Sequence, residues 1–587
     1  MSLDKSLLEK VREVAYKHAL INAYKHKGKA ALQPVISKII AEIPEIRKRV
    51  RDIIGIVKEI IDKVNELSIN EQKRIIEENW PEYLEERREK EKKTLPPLPN
   101  ASVGKVATRF APNPDYTIHL GNARPALLSY WYAVEYKGKM ILRFEDTDPR
   151  TKAPFPEAYD RIKEDLKWLG IKWDEEYIQS LRLPLFYEIL RKLTEKGGAY
   201  VDKCSPEEFR KYRDQGKACP HRDLPPEKHL EELDKILEGY YGEGEAVIRV
   251  KTDLKHPDPS VRDWVAARII DTTKSPHPVV GEKYILWPTY NLAAAIDDHL
   301  MGVTHILRAK EHVSNTIKQK YLYDHMGWKY PETIHFGRLS LEGVILSKSK
   351  MRQLISERSL EPYVDPRFGT LSGLRRRGIV REALWEIIKS VGTKQIDAYI
   401  SYVNLAAINR AIIDPVTKRF MAVEEPIELR IVNIENDIEA KVIRHPSTHE
   451  TTHKIVPKES PIIWISRRDL DLLNKHKIVR LMGLANITLK EPRILNGKLV
   501  IDVEIHSFEQ DEAKKHRIPI IQWVKPDDYV LVDLIVPEGL EIKHRVLYAE
   551  KDLSKLREDI IIQFYRIGFA RIDHVGENKL TCIFAHT

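Results

Sequence analysis

The chain has 587 residues, a length that exceeds one hydrophobic core and predicts about three to five domains. No apolar run reaches membrane-spanning length, the first residues lack a signal-peptide core, and three cysteines cannot make a disulfide framework. We therefore expect a soluble, cytoplasmic protein with no membrane partner, and its net charge of +9 is compatible with a polyanionic partner.

Residues 1–95 are predicted to form a helical appendage. Apolar residues recur at helical spacing on two stripes, one from Leu7 to Ala19 and one from Ile53 to Leu67. Alternating charges over 85–93 and a proline-rich stretch over 95–99 then predict a stiff connector and a domain boundary. We interpret the basic residues as a solvated face, with contact to a nucleic acid or a protein partner as the alternative.

The stretch Thr108 to Arg124 is predicted to be the centre of a nucleotide site. A short strand over 106–110 leads through a proline-containing loop to His119 and Gly121, which stand at the start of a helix. The unpaired N–H groups and dipole of a helix N-terminus suit an anion, and a glycine lets a planar ligand approach the backbone. The alternative is a turn in which Gly121 serves backbone geometry alone.

A second buried strand is predicted at Met140–Phe144, and the acidic run 145–148 follows it. Open α/β sheets bind ligands at the carboxyl ends of their strands, so this run suits a substrate ammonium or Mg2+. Ordinary turn chemistry is the alternative, because Asp, Thr and Pro are common turn residues.

Residues 201–286 show a looser pattern of short helices and strands with many prolines. Asp202, Cys204, Cys219 and His221 offer four zinc ligands at plausible spacing. A carboxylate is less typical than a thiolate in a structural zinc site, so free, partly buried cysteines are the favoured interpretation.

The second half of the α/β sheet is predicted to begin at residue 287. Ser347 and Lys348 lie further along, on a predicted loop whose hydroxyls and lysines suit a pyrophosphate leaving group. Residues 361–413 return to helical spacing, and the arginines at 375–377 either meet phosphate or form an exposed basic turn. From residue 414 onward, alternating strands predict closed or nearly closed β structure.

These segments resemble the class I aminoacyl-tRNA synthetases, and within them the archaeal type of glutamyl-tRNA synthetase. His119-Leu120-Gly121-Asn122 resembles the His-Ile-Gly-His signature, with Asn122 in place of its second histidine. The stretch 142–149 resembles the glutamyl motif, and the block 287–308 is the most specific match. Leu346-Ser347-Lys348-Ser349 resembles the Lys-Met-Ser-Lys-Ser loop, with Ile345 at its first lysine. The β-rich tail resembles the tandem anticodon-binding barrels of archaeal and eukaryotic glutamyl enzymes.

The resemblance implies a multidomain fold. It implies a helical appendage at 1–95, a class I Rossmann-like α/β catalytic domain at 101–200 and 287–360, an inserted acceptor-stem-binding domain at 201–286, a helical stem-contact region at 361–413, and tandem anticodon-binding β-barrels at 414–587.

The resemblance also implies the site residues. The residues implied for glutamate are Arg109, Ala111, Asn113, Glu145, Tyr290, Ala294 and Arg308. Those implied for ATP are Asn113, Pro114, His119, Gly121, Asn122, Arg338, Leu339, Leu346, Ser347 and Lys348. Of these, His119, Asn122 and Lys348 are expected to be catalytic. Arg308 takes the place of a neutral residue in glutaminyl enzymes, and its guanidinium suits the γ-carboxylate of glutamate.

The expected reaction is ATP- and Mg2+-dependent ligation of L-glutamate to tRNA(Glu) through glutamyl-adenylate. The archaeal resemblance adds tRNA(Gln) as a second expected substrate. The alternatives are a glutaminyl-tRNA synthetase, a nucleotidylyltransferase that shares the His-x-Gly-His site, and a non-catalytic tRNA-binding paralogue.

Overall fold

A computed structural model describes residues 4–25, 28–80, 95–358, 363–495 and 498–587. The chain divides into two compact units, residues 1–94 and residues 95–587. The charged run predicted as part of a connector, 85–93, lies outside the described residues. None of the helices within the described ranges combines the length and the apolar character needed to cross a membrane.

The described part of the first unit is helical, as predicted. Its helices are α1 (Lys5–Lys25), α2 (Leu32–Glu42), α3 (Val50–Glu66) and α4 (Ile69–Asn79), with a 3-10 turn at Pro44–Lys48. The two apolar stripes meet in one core, where Val11 of α1 and Val57 of α3 are fully buried. Helix α4 starts with a capping box, since Ser68 and Glu71 each accept a hydrogen bond from the backbone N–H of the other.

The second unit begins with a parallel sheet. Its first elements are β1 (Ala107–Phe110), α5 (Leu120–Glu135), β2 (Lys139–Phe144), α6 (Pro156–Trp168), β3 (Glu175–Ile178) and α7 (Leu183–Glu195). The strands pair in the order β1-β2-β3, and all pairs are parallel. Residues 140–144 of β2 are buried throughout, which confirms the strand predicted from this apolar run.

An antiparallel sheet interrupts this pattern. Its elements are β4 (Ala199–Asp202), α8 (Pro206–Gln215), α9 (Pro226–Leu237), β5 (Val247–Val250), β6 (Val265–Ile269) and β7 (Leu286–Pro288). The strand order is β4-β5-β6-β7. These strands and helices α7 and α9 contribute to a hydrophobic core distinct from that of the parallel sheet.

The parallel sheet then resumes. The elements are α10 (Tyr290–Leu300), β8 (His305–Ala309), α11 (Val313–Met326), β9 (Glu332–Phe336), β10 (Leu339–Glu342) and α12 (Lys348–Arg358). Strand β8 runs parallel to β9 and lies beside β1, where the N–H of Thr304 donates to the C=O of Ala107 at 2.9 Å. The sheets β1-β2-β3 and β8-β9 thus lie side by side with β1 next to β8, which is the arrangement of a doubly wound fold whose strand order reverses between these two strands.

Short helices connect this domain to the C-terminal strands. They are α13 (Leu371–Arg376), α14 (Arg381–Val391) and α15 (Tyr402–Ile413), and β11 (Ala398–Ser401) pairs in parallel with β10. The sequence predicts that the arginines at 375–377 either meet phosphate or form an exposed basic turn, and the structure leaves one of the three exposed. Arg376 forms an ion pair with Asp573 at 2.7 Å, and Arg377 is buried against the ring of Tyr402, so only Arg375 is exposed.

The C-terminal region is built of strands, as its alternating pattern predicted. The strands are β12 (Lys418–Phe420), β13 (Ala422–Val423), β14 (Pro426–Ile431), β15 (Ile438–Ile443), β16 (Thr451–Val456), β17 (Ile462–Ser466), β18 (Ile478–Leu481), β19 (Asn486–Leu495), β20 (Lys498–Ser507), β21 (Ile520–Ile521), β22 (Tyr529–Glu538), β23 (Glu541–Glu550), β24 (Ile561–Phe564), β25 (Gly568–Val575) and β26 (Lys579–His586). The helices α16 (Leu470–Lys475) and α17 (Gln510–Lys515) lie between strands.

Strands β15 and β16 pair only with each other, and the remaining strands form two nearly closed sheets. One has the order β12-β24-β25-β26-β22-β23-β13, and only Met421 separates its two end strands along the chain. The other has the order β17-β14-β20-β19-β18-β21, and an antiparallel bridge between Trp464 and Val524 joins its two ends. The second sheet is inserted between β13 and β22 of the first. Closure of this kind removes exposed strand edges.

Candidate active site

A cleft with a cavity of about 850 Å³ opens at the carboxyl ends of β1, β2 and β8. This is the position at which a doubly wound sheet binds ligands. The predicted site residues that line the cavity are Arg109, Ala111, Asn113, His119, Gly121, Asn122, Glu145, Tyr290, Arg308, Arg338, Leu339, Leu346 and Ser347. Residues predicted for the amino acid and residues predicted for the nucleotide therefore share one cleft.

Three predicted site residues are not among those that line the cavity. Pro114 is buried, and its C=O accepts a hydrogen bond from the N–H of Phe155 at 2.9 Å, so it holds the loop in place. Ala294 is fully buried within α10. Lys348 is the first residue of α12, and its side chain lies outside the described part of the chain.

His119 caps helix α5. Its Nδ1 accepts a hydrogen bond from the N–H of Gly121 at 3.0 Å, while Oδ1 of Asn122 accepts one from the N–H of His119 at 3.1 Å. A Cβ at position 121 would lie 2.8 Å from Cε1 of His119, so the ring position requires glycine there. Asn122 therefore stabilises the helix start, and its side-chain N–H groups take no part in this cap.

The start of α5 is less open to an anion than the sequence predicted. The N–H of Leu120 donates to the C=O of Gly369 at 3.2 Å, and the N–H of Gly121 donates to His119 Nδ1. The N–H groups of Asn122 and Ala123 both donate to the C=O of His119. Because these donors already have partners, side chains rather than bare backbone N–H groups must provide contacts to an anion in this conformation.

Four charged groups form a chain at the cavity wall, of which Arg109, Arg143 and Asp298 are buried and Glu145 is partly exposed. Nε of Arg109 donates to Oδ1 of Asp298 at 3.2 Å, and Nη1 of Arg143 donates to the same oxygen at 2.8 Å. Nη2 of Arg143 donates to Oε1 of Glu145 at 2.9 Å. Burial acts to raise the pKa of Asp298, but the two guanidiniums outweigh it and lower that pKa. At Glu145 burial prevails over Arg143 and raises the pKa, so this carboxylate would be stabilised by a further cation.

The other acidic residues after β2 have structural partners. Asp146 is fully buried and accepts hydrogen bonds from the hydroxyl of Tyr159 at 2.7 Å and from the N–H of Ser180 at 2.8 Å. Asp148 accepts hydrogen bonds from Nη2 of Arg268 and from the backbone of its own turn. Contacts within the fold therefore account for Asp146 and Asp148. Glu145 is the member of the run whose negative charge is only partly balanced by neighbouring cations at the cavity.

Arg308 carries a buried charge and has only neutral partners among the described residues. Its Nη1 donates to Oε1 of Gln319 at 3.1 Å and lies 3.5 Å from the hydroxyl of Tyr290. Its Nη2 donates to Oγ1 of Thr316 at 2.5 Å and to the hydroxyl of Tyr330 at 2.9 Å. The side chain lines the cavity, and Nε is buried without a partner. A buried cation without a counter-charge is costly, so an anionic ligand group would stabilise this arrangement.

Another buried arginine, which also lines the cavity, holds the segment that contains Arg338. Arg124 of α5 donates to the C=O of Gly337 at 2.5 Å and to that of Lys394 at 3.0 Å. A Cβ at position 337 would lie 2.2 Å from the C=O oxygen of Ile396, so the close approach of the two segments requires Gly337. These contacts fix the backbone of Arg338 and Leu339 at the cavity, next to His119.

The predicted pyrophosphate loop follows β10. Leu346 and Ser347 line the cavity, and Oγ of Ser347 accepts a hydrogen bond from the N–H of Lys350 at 3.4 Å. Helix α12 therefore begins at the cleft, with Ser347 just before its first turn.

The four predicted zinc ligands come together in the inserted region. Their ligand atoms all lie within 4.8 Å of one another. Nδ1 of His221 is 3.1 Å from Oδ1 of Asp202 and 3.4 Å from Sγ of Cys204, and Sγ of Cys219 is 3.7 Å from the same Asp202 oxygen. Nε of Arg249 donates to the other oxygen of Asp202 at 2.7 Å. The cluster can hold a metal ion, because its spacing and its donor types suit zinc.

Several polar residues of the site were missed by sequence reasoning. They are Arg143, Asp298, Thr316, Gln319 and Tyr330. Asp298 stands within the block that carries the family resemblance, and an acidic residue in an apolar helical stretch was a usable signal. Thr316, Gln319 and Tyr330 lie on α11 and the loop after it, and no pattern along the chain connects them to Arg308.

Comparisons with known proteins define the class. Residues 105–415 match the family model for the catalytic domain of tRNA synthetases class I (E and Q). Residues 417–506 and 520–573 match two models for the anti-codon binding domain of the same synthetases. The chain therefore belongs to the class I tRNA synthetases of the E and Q group.

The similar full-length proteins narrow the class. A glutamate–tRNA ligase of Staphylothermus marinus is 69% identical over 567 residues, which are 97% of this chain and 100% of that protein. Glutamate–tRNA ligases of Hyperthermus butylicus and Thermococcus kodakarensis are 53% and 48% identical, over 97% and 99% of this chain and 100% of each relative. Within its class, the chain belongs to the glutamate–tRNA ligases. The glutaminyl, nucleotidylyltransferase and non-catalytic alternatives have no support among these relatives.

Proposed function

We propose that the cleft binds the side chain of glutamate at Arg308 and forms glutamyl-adenylate next to His119. The observation that carries the proposal is the buried guanidinium of Arg308, which has neutral described partners and faces the same cavity as the His119 turn. The γ-carboxylate would supply the missing charge by accepting charge-assisted hydrogen bonds in place of a neutral partner, such as the hydroxyl of Tyr290, which lies 3.5 Å from Nη1. An amide would leave that charge unbalanced, which costs on the order of a few kcal/mol.

The other end of the amino acid is assigned to Glu145. The pKa of this carboxyl is raised, because Arg143 and Arg109 only partly offset its desolvation. The α-ammonium of glutamate adds the cation that this position lacks. Arg109, Ala111, Asn113 and Tyr290 complete the pocket wall, and the buried Oδ1 of Asn113 has no partner among the described residues.

The reaction then follows in two steps. An oxygen of the glutamate α-carboxylate attacks the α-phosphorus of ATP, and the bond to the pyrophosphate leaving group breaks. The 2′-hydroxyl of the terminal tRNA ribose next attacks the carbonyl carbon of the adenylate and displaces AMP. We assign positioning of the nucleotide to His119, Asn122, Arg338 and Leu339, and charge stabilisation of the leaving group to Ser347 and Lys348. Mg2+ would enter with ATP and neutralise phosphate charge.

The tRNA is assigned to the remaining regions. The acceptor end goes to residues 201–286, the stem to 361–413 and the anticodon to the two C-terminal sheets. The cytoplasmic location predicted from the few cysteines is part of the same proposal. Use of tRNA(Gln) as a second substrate stays a prediction, which charging assays with both transcripts would test.

The proposal is tested by ATP–pyrophosphate exchange with glutamate or glutamine, in the presence and absence of tRNA. With tRNA present, we expect exchange with glutamate and none with glutamine. Arg308→Ala should raise the KM for glutamate by about 100-fold, while the KM for ATP stays near the wild-type value. Arg268→Ala is the matched control, because Arg268 lines the same cavity but is paired with Asp148. Absence of glutamate-dependent exchange with tRNA present, or equal losses for ATP and glutamate, would refute the assignment.

We also infer that Asp202, Cys204, Cys219 and His221 hold zinc. A tetrahedral site with Zn–S near 2.3 Å and Zn–N or Zn–O near 2.0 Å has ligand–ligand separations of roughly 3.3–3.7 Å. Three of the six separations between these ligand atoms, 3.1, 3.4 and 3.7 Å, come close to that range, and all six are within 4.8 Å. Arg249 on Asp202 would offset part of the negative charge of a carboxylate and two thiolates. Such an ion would stabilise the inserted region by linking β4 to the loop after α8.

A further inference from the structure

The proposed role of Arg308 raises the question of what keeps its charge available. The guanidinium is held from behind by residues that do not line the cavity, and the central one is Gln319 of α11. Oε1 of Gln319 accepts hydrogen bonds from Nη1 of Arg308 at 3.1 Å and from the hydroxyl of Tyr330 at 2.7 Å. Its Nε2 faces Oδ1 of Asn291 at 3.3 Å, which fixes the orientation of the amide. Gln319 is fully buried, so water cannot replace it.

Every described group that contacts Arg308 is neutral near pH 7. The pKa of Tyr330 is raised by burial, and the pKa of Tyr290 is raised in the same way, so both hydroxyls keep their protons. The pKa values of the nearby His312 and His335 are lowered by burial and then by Arg308, so both rings stay uncharged. The described ion pairs include none with Arg308, although carboxylates pair with the neighbouring Arg109 and Arg143.

We propose that Gln319 is a specificity-determining positioning residue, which orients Arg308 with a neutral acceptor and so leaves its full charge for the γ-carboxylate of the substrate. A glutamate at position 319 has nearly the same shape and could accept the same two hydrogen bonds. It would, however, give Arg308 an internal partner, and the substrate carboxylate would then compete with a buried ion pair. This inference rests on the proposed function of Arg308 and adds a second residue to it.

The test compares Gln319→Glu with Gln319→Met in the exchange assay. We expect Gln319→Glu to raise the KM for glutamate by about 100-fold or more, with the KM for ATP unchanged, and to remove most of the preference for glutamate over glutamine. Gln319→Met keeps position 319 neutral but removes the acceptor for Nη1 of Arg308 and for the hydroxyl of Tyr330. Its KM for glutamate should therefore rise by about 10-fold or less, with the preference retained.

Two further measurements separate the possible failures. The unchanged KM for ATP and the melting temperature of each variant show whether the cleft is still folded. Arg308→Ala is assayed alongside: if it keeps normal use of glutamate, the proposed function fails, and the inference about Gln319 fails with it. If Arg308→Ala loses glutamate use while Gln319→Glu equals wild type, or if the Glu and Met variants are equally impaired, only the role of neutrality at position 319 is overturned.

Discussion

Nη2 of Arg143 lies 2.9 Å from Oε1 of Glu145, two residues further along the same strand end. Arg143 is fully buried and shares its guanidinium between Glu145 and Asp298. Arg143 and the nearby Arg109 only partly offset the desolvation of Glu145, so the pKa of this carboxyl is raised. The strand end thus presents a carboxylate that the protein holds in position and that a bound ammonium would stabilise.

Substitution of Glu145 should therefore affect binding of the amino acid and spare the nucleotide. We expect Glu145→Gln to raise the KM for glutamate by about 10- to 100-fold, because the ammonium loses a charge-assisted hydrogen bond. Asp148→Asn is the control, since Asp148 also lines the cavity but is held by Arg268. Steady-state exchange kinetics with glutamate and ATP varied separately give both KM values. If Asp148→Asn raises the KM for glutamate more than Glu145→Gln does, the assignment of the ammonium to Glu145 is wrong.

Asn122 has a structural contact and a proposed functional one, and two variants separate them. Asn122→Ala removes the acceptor for the N–H of His119, so it should lower the free energy of unfolding by about 1 kcal/mol. Asn122→Asp keeps that acceptor but replaces the amide N–H groups with negative charge next to the proposed phosphates. We expect it to retain the melting temperature and to lose most of the exchange rate. Comparable activity of Asn122→Asp and wild type would leave Asn122 with the capping role alone.

The parts of this site that follow from local sequence were predictable. The run of buried residues at 140–144 predicted β2, and alternation predicted the C-terminal strands, because burial on one or both faces of a sheet imposes a period along the chain. The motifs around His119, Glu145 and Arg308 predicted residues that line one cavity. Each of them stands at a strand end or a helix start, where the chain direction fixes which way a side chain points.

The contacts that tune those residues could not be predicted, because they are made between distant segments. Gln319 and Tyr330 meet Arg308 only through the packing of α11 and its following loop against β8. The cap formed by His119 and Asn122 uses donors that the sequence assigned to a ligand. Side-chain hydrogen bonds of this kind depend on ångström-scale placement, whereas periodicity reports only which face is buried.

Metal analysis tests the zinc cluster. We expect purified wild-type protein to contain one zinc per chain by elemental analysis, and Cys219→Ser to lose it. Cys582→Ser is the matched control, because Cys582 is also a buried free cysteine but lies in the C-terminal seven-stranded sheet. A chelator should lower the melting temperature of wild type and leave that of Cys219→Ser unchanged. If the purified wild-type protein contains no zinc and also binds none when the ion is added, the cysteines are free, as the sequence analysis favoured.

A buried carboxyl links the His119 loop to the segment after α12. Oδ2 of Asp165 on α6 accepts a hydrogen bond from Thr117 at 2.7 Å, and Oδ1 accepts one from Ser372 at 2.7 Å. Thr117 precedes His119 by two residues, and His119 forms a backbone bridge with Thr370. Burial raises the pKa of Asp165 from 3.8 to about 6, although both hydroxyl groups act to lower it.

This shift predicts a specific pH dependence of stability. Between about pH 4 and pH 6 the folded state holds the Asp165 proton more tightly than the unfolded state, so the free energy of unfolding falls as pH rises through this window. At pH values well above 6 the free energy of unfolding is lower by about 3 kcal/mol than it is below about pH 4. Asp165→Asn does not titrate and can still bond both hydroxyls, so its stability relative to wild type should increase from pH 4.5 to pH 7.5. Asp160→Asn, at an exposed site on the same helix, should show no such trend in melting temperatures measured across this range. Parallel pH profiles for wild type and Asp165→Asn would show that Asp165 ionises in the folded protein without this penalty.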